Sequence, residues 1–267
     1  MKTLQTLMDL RGRVALVTGG AGHLGVAFGE ALAELGANVA VLDMDGEACR
    51  KTAAALAGEH GVQTLPLVVD LAREDAVKRI PARLLRSFGR LDILVNNAAM
   101  VGTSTLKGWA VPLAEQQSDS FRQALEINLT AAFLLTQSCA PMLAGSGRGS
   151  VINVGSIYGM VGPNLDLYAG TKMGNPAAYA ASKGGLFALT RWCATVLAPR
   201  VRVNAITPGG ILRNQPAPFR RRYVSRTPLK RMATEEDLKG AAAYLASDLS
   251  AYVTGHNLVV DGGWTVW

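Results

Sequence analysis

The sequence predicts an α/β fold, a single doubly wound domain built on a seven-stranded parallel sheet. Three observations carry that expectation. Seven short runs rich in β-branched residues recur from residue 13 to near the end, and most do not alternate polar with apolar, as strands buried on both faces require. Stretches of helical period separate them. No linker, repeat or low-complexity tract interrupts the alternation over 267 residues, which favours one domain over two.

In chain order, "RVALVT" leads through a glycine-rich turn into a helix ending near Gly36, "NVAVLD" into a helix ending near His60, and "TLPLVVD" into one ending at Phe88. "LDILVN" follows, then a helix over about 119–142, "SVINVGS", a helix from Asn175, "VRVNAIT", a helix near 234–246 and "NLVVDGG". Three stretches lack periodicity: 100–117, 157–174 and 209–233. Each follows the carboxyl end of a strand, the edge at which ligands bind in such sheets. Pro216, Pro218 and Pro228 suit the last of them to a largely non-repetitive segment.

Composition narrows the class of function. About half the residues are apolar, so a sizeable core can form. Cys49, Cys139 and Cys193 are scattered, odd in number and without metal-ligand spacing, so neither a disulfide nor a zinc site is expected. The start "MKTLQTLMDLRGR" lacks the apolar core and cleavage site of an export signal. No uninterrupted apolar run approaches the roughly 18 residues that suggest a membrane span. A cytoplasmic protein with no membrane partner is the expectation. The net charge of +7 comes without a nucleic-acid-binding motif, and nucleic acid is not an expected partner. The charge is local: between Ile211 and Arg231 there are seven Arg or Lys residues and no Asp or Glu.

The turn "VTGGAGHLG" between the first strand and helix can hold a pyrophosphate on backbone amides and the helix N-terminus. Asp43 closes the second strand, where a carboxylate can accept hydrogen bonds from both adenosine ribose hydroxyls and repel a 2'-phosphate, favouring NAD. A helix cap before "GEACRK" is the alternative role, although Asp45 fits that cap better. Asp70, with Leu71 beside it, closes the third strand at the expected adenine edge.

Two tyrosine–lysine pairs have the same spacing, Tyr168 with Lys172 and Tyr179 with Lys183. Residues four apart share a helix face, so an ammonium can sit near a phenol and favour its ionised form. Only a helix provides that face. "MGNP" after Lys172 breaks one, whereas Asn175 as N-cap and Pro176 as first helical residue would start one that carries Tyr179 and Lys183.

With the glycine turn, "NNAA" at 96–99, "NVGSIYG", Tyr179/Lys183 and "NAITPGGI" in this order, the sequence resembles the short-chain dehydrogenase/reductase superfamily over nearly its whole length. The resemblance implies a Rossmann-like sheet, usually in a homotetramer, and a catalytic set of Asn128 in "EINLT", Ser156, Tyr179 and Lys183. In that set Tyr179 exchanges a proton with the reacting oxygen, Lys183 helps ionise it, Ser156 hydrogen-bonds the same oxygen and Asn128 holds a relay water. A strand-end turn serine and a helix-packing amide are the plainer roles of Ser156 and Asn128. The implied cofactor contacts are Gly19, His23, Leu24 and Gly25 at the pyrophosphate, Asn97 and Ala98 after the fourth strand, Tyr179 and Lys183 of the catalytic set, and Pro208, Gly209 and Ile211 around the nicotinamide.

Three departures qualify the transfer. His23 replaces the second glycine of "TGxxxGxG", although Gly22 restores an alternative spacing. Tyr179 requires an insertion after Ser156, because the usual interval of about 13 residues points to Tyr168. Arg213 stands at the threonine of "PGxIxT", where it could meet a phosphate or a substrate anion. Tyr158 and Arg213 are the candidate contacts to a small-molecule substrate. Gly184 and Gly185 within the helix are expected to serve close packing at a subunit interface. The expected activity is NAD-dependent hydride transfer with a secondary alcohol or ketone, the insertion suggesting a sugar or polyol. A 3-oxoacyl-carrier-protein reductase and a catalytically silent dinucleotide-binding regulator are the alternatives.

Overall fold

A computed structural model describes residues 1–101 and 106–267; part of the non-periodic stretch 100–117, residues 102–105, lies outside the described residues. The strands are β1 (Val14–Thr18), β2 (Asn38–Asp43), β3 (Thr64–Val68), β4 (Ile93–Asn96), β5 (Gly149–Val154), β6 (Val201–Pro208) and β7 (Asn257–Val260). They form one parallel sheet in the order β3-β2-β1-β4-β5-β6-β7. The order reverses between β1 and β4, so their carboxyl ends open the crevice in which such folds bind ligands.

The helices are α1 (Leu4–Met8), α2 (His23–Glu34), α3 (Gly46–His60), α4 (Glu74–Val77), α5 (Ile80–Phe88), α6 (Ser118–Leu125), α7 (Ala131–Gly145), α8 (Ala177–Leu197), α9 (Ala217–Arg226) and α10 (Lys239–Ala246). Strand side chains alternate between two apolar layers. Ala15, Val17, Val39 and Val41 pack with Phe28 and Leu32 of α2, Leu56 of α3 and Leu245 of α10. Val14, Leu16, Ala40 and Leu42 face the other way, with Leu84 of α5, Leu135 of α7 and Cys193 of α8. Both faces of the central strands are buried, which is why their sequences do not alternate.

Four local expectations change. The helix expected to run to Phe88 is divided into α4 and α5, because Pro81 cannot donate to a preceding turn but fits the first turn of a new helix. α8 starts one residue later than expected: Pro176 is its N-cap, and the Ala177 N–H donates to Gln116 Oε1 at 3.0 Å instead of being capped by Asn175. The lobe at 209–233 contains a ten-residue helix, α9, with prolines only at its entry. Gly185 serves packing within the chain, since a Cβ there would lie 2.8 Å from a Leu129 methyl. The helical run Ser118–Gly145, including a π-turn at Glu126–Thr130, is long and apolar enough in composition to span a membrane. Its apolar residues Leu134, Leu135 and Leu143 instead belong to the core under the sheet.

Candidate active site

The glycine turn is built by close backbone approaches. Gly19 has φ +58°, and a Cβ on it would lie 2.9 Å from the Ala98 Cα. A Cβ on Gly25 would run into the Gly19 carbonyl, so α2 can seat against the turn only with glycine there. Asn97 fastens the turn from the end of β4, its Nδ2 donating to the carbonyls of Thr18 at 2.9 Å and Gly19 at 3.1 Å. The Thr18 hydroxyl accepts from the N–H groups of Asn97 and Ala98, both at 3.0 Å. His23, Leu24 and Gly25 form the first turn of α2, whose N–H groups have no intrahelical acceptor. A cavity of about 350 Å³ lies beside them, lined by Ala21, Gly22, His23, Val26 and Glu235. Amide donors at a helix N-terminus, a turn with no space for side chains and an adjoining cavity fit a dinucleotide pyrophosphate. His23 does not obstruct this role, because its imidazole points out to solvent and only the backbone is needed.

Asp43 and Asp45 divide the two roles open to them. Asp45 caps α3, accepting from the N–H groups of Glu47 at 3.0 Å and Ala48 at 3.1 Å. Asp43 ends β2 and reaches back to the glycine turn, where its Oδ2 accepts from the Ala21 N–H at 3.1 Å. Its carboxylate is thereby fixed beside the glycine turn. Asp70 closes a tight turn after β3, its Oδ1 accepting from Ala72 at 2.9 Å, and Leu71 is buried next to it.

Ser156, Tyr179 and Lys183 converge at the carboxyl end of β5. Burial raises the Tyr179 phenol above its ordinary range, while the nearby Ser156 side chain acts in the opposite direction. Lys183 lies one helical turn further along α8, with Nζ 5.9 Å from the Tyr179 ring centre. Its ammonium donates to the Val154 carbonyl at 2.7 Å, and burial pushes its pKa down to about 8. A lysine that holds its charge weakly is one whose protonation responds to a neighbouring phenol.

The competing pair is not arranged for this chemistry. Tyr168 lies in a short turn of 3-10 helix, Lys172 is exposed, and the Tyr168 phenol donates to that of Tyr158 at 2.9 Å. Asn128 lies at the π-turn with its side chain fully engaged: Oδ1 accepts from Met100 at 2.7 Å, and Nδ2 donates to the Met100 carbonyl and to Ser182 Oγ. The amide therefore joins the loop after β4 to α8.

Pro208 ends β6, and the Gly209 N–H donates to Val260 at 3.0 Å, closing the next turn against β7. Ile211 pairs with Ala233 in an isolated parallel bridge. Arg213, the expected substrate contact, has its guanidinium 3.0 Å from Glu235, which lines the cavity at the glycine turn. Glu235 is also 3.9 Å from His23. Sequence reasoning missed Glu235, whose only signal was a carboxylate just beyond the basic segment. It also missed Trp264, which packs edge-on against Tyr158 at 6.1 Å.

The comparisons agree with this geometry. Residues 20–265 match a family model described as enoyl-(acyl carrier protein) reductase. A cis-4-hydroxycyclohexanecarboxylate dehydrogenase from Sinomonas cyclohexanicum is 36% identical over 258 residues, covering 95% of this chain and 96% of that protein. A gluconate 5-dehydrogenase from Burkholderia cenocepacia, solved with NADP and tartrate, superimposes with a TM-score of 0.87 at 28% identity, covering 99% of this chain and 100% of that one. An NAD⁺-bound xylitol dehydrogenase gives a TM-score of 0.82 at 32% identity, covering 95% of this chain and 99% of that one. With the glycine turn, Ser156, Tyr179 and Lys183 all in place, the chain is an oxidoreductase that belongs to the short-chain dehydrogenase/reductase superfamily.

Proposed function

We propose that this protein transfers a hydride between NAD and a secondary alcohol or ketone, with Tyr179 as the acid and base. The convergence of Tyr179, Ser156 and Lys183 at the carboxyl end of β5 carries the reading. Gly19, Asn97 and Gly209 are among the residues that would hold a nicotinamide cofactor, which would supply the hydride acceptor for oxidation and the donor for reduction. Tyr179 takes the hydroxyl proton during oxidation and returns it during reduction. Because burial alone holds the phenol protonated, Ser156 and the Lys183 ammonium must favour the phenolate when the base is needed. Ser156 also orients the substrate oxygen by hydrogen bonding, and Asn128 positions α8 through Ser182.

The preference for NAD rests on Asp43, whose anchored carboxylate would face the 2'-phosphate of NADP. A hydroxylated ring, sugar or polyol is the substrate class we favour, in keeping with relatives named for a hydroxycyclohexanecarboxylate, gluconate and xylitol. A cytoplasmic homotetramer is part of the same proposal; the free thiols and the exposed Trp192 and Val196 on α8 are compatible with it. The test measures NADH and NADPH formation with cis-4-hydroxycyclohexanecarboxylate, xylitol and gluconate. Turnover of at least one with NAD preferred supports the proposal. Equal efficiency with both cofactors removes the NAD preference, and cofactor affinity without turnover of any alcohol supports a binding regulator.

A further inference from the structure

Tyr158 and Tyr168 meet across the insertion that follows Ser156. Tyr158 is fixed near the reacting centre because its N–H donates to Ser156 Oγ at 3.2 Å. Tyr168 returns from the far end of the insertion and donates its phenolic proton to the Tyr158 oxygen at 2.9 Å. The direction of that bond matters. Tyr168 has committed its proton, whereas the proton of Tyr158 has no acceptor among the described residues. Both phenols lie near enough to Tyr179 to interact with it electrostatically. Burial drives the Tyr158 phenol far above its ordinary range, so it stays neutral and remains a donor.

The surroundings keep this donor in place. Tyr158 packs edge-on against Trp264, Trp264 stacks with Tyr223 at 5.8 Å, and Phe219 lies between Tyr223 at 5.9 Å and Tyr168 at 5.5 Å. Arg222 of α9 fastens the insertion from above by donating to the Ala169 carbonyl at 2.6 Å. Two polar atoms in this region are buried without a partner, Asn175 Oδ1 and Trp264 Nε1. Such atoms are rare in a finished interior and are common where water or a ligand completes the site. Asn175 lies close to the Tyr168 phenol, which places one of the two beside the tyrosine pair.

We propose that Tyr158, oriented by Tyr168, selects substrates carrying a second oxygen acceptor, a hydroxyl or carboxylate, beyond the reacting carbinol. The inference rests on the alcohol-oxidoreductase reading and adds to it a specificity residue. A site that offers a rigid neutral donor disfavours an analogue lacking the acceptor, because the phenol is then desolvated without a partner.

The test compares cyclohexanol, cyclohexane-1,4-diol and cis-4-hydroxycyclohexanecarboxylate with the unmodified protein and with Tyr158→Phe and Tyr168→Phe. Tyr158→Phe is expected to raise KM about 10-fold for the diol and up to about 100-fold for the carboxylate, with a clearly smaller effect on cyclohexanol. Tyr168→Phe should shift the same two substrates in the same direction by less, since it disorders the donor without removing it. A response of the diol alone or the carboxylate alone also supports the proposal and identifies the acceptor. Equal losses on all three alcohols, or no loss on any, overturn it. Calorimetric titration of the same compounds into Tyr179→Phe and Tyr179→Phe/Tyr158→Phe, each saturated with NAD, reads the same selectivity without chemistry. Absence of turnover would then count against the oxidoreductase reading, while loss of selective binding would count against this one.

Discussion

The cofactor side and the substrate side of the crevice are built by different means. Around Gly19, Gly25 and Asn97 the chain is shaped by backbone: a left-handed glycine, carbonyls clamped by one amide, and an approach of α2 that admits no Cβ. Around Tyr158, Phe219, Tyr223 and Trp264 the shape comes from aromatic rings brought together from separate elements. Backbone constraints force particular residue types at fixed spacing. Ring packing can be achieved by many sequences, so it can diverge with the substrate while the turn stays constant.

The largest effect should come from disturbing the backbone-built side. Gly25→Val places a side chain against the Gly19 carbonyl and the Gly20 Cα, atoms that cannot swing aside. Dinucleotide affinity, read by NADH fluorescence titration, should fall by about 100-fold or more, because the phosphate turn and α2 can no longer meet. Gly58→Ala is the contrast. No atom lies within 4 Å of a Cβ added there, so it should keep NADH affinity and gain up to about 1 kcal/mol of stability from helix propensity. Similar losses in both variants would break the distinction.

Lys183 connects the two sides and makes the next effect. Its folded pKa of about 8 is below the ordinary 10.5, so between those values the folded chain binds fewer protons than the unfolded chain. Stability contributed by this group is therefore present in full above about 10.5 and is lost as pH falls to about 8. Relative to Lys183→Met, the unmodified cofactor-free protein should gain on the order of 3 kcal/mol across that window, measured by urea unfolding. Parallel stability curves for the two proteins would show that burial does not depress the lysine. Turnover by Lys183→Met should fall roughly 10- to 100-fold, since the phenolate loses its neighbouring charge.

The smallest effect belongs to Asp43. Asp43→Ala should narrow the ratio of NAD to NADP efficiency by about 10-fold, by removing a carboxylate that repels the 2'-phosphate, at the cost of the acceptor for the Ala21 N–H in the glycine turn. An unchanged ratio would place the discrimination elsewhere, with Arg213 and Glu235 the first residues to examine.

This contrast also explains what could be read from the sequence. The seven strands, the glycine turn and the helix that carries both Tyr179 and Lys183 were legible because each follows from a local rule: two buried faces, absence of Cβ, or a proline that breaks one helix and opens another. α9 was not, because Pro216 and Pro218 read as breakers although they occupy its entry, and the buried pair Phe219 and Tyr223 is separated by three arginines. The engagement of Arg213 by Glu235 depends on how the lobe folds back onto the glycine turn, and no spacing in the chain encodes that distance. Gly185 was legible as a close approach, but its partner, Leu129, is known only from the packing of α8 on the π-turn.

The central claim is that Tyr179, and not Tyr168, exchanges the proton with the substrate oxygen. Single-turnover oxidation of an accepted alcohol by Tyr179→Phe and Tyr168→Phe, with NAD affinity measured in parallel, tests it most directly. Tyr179→Phe should lose about 10²- to 10⁴-fold in the chemical step with NAD affinity within about two-fold of the unmodified protein, and Tyr168→Phe should lose far less. A larger loss for Tyr168→Phe, or near-normal chemistry in Tyr179→Phe, would contradict the account.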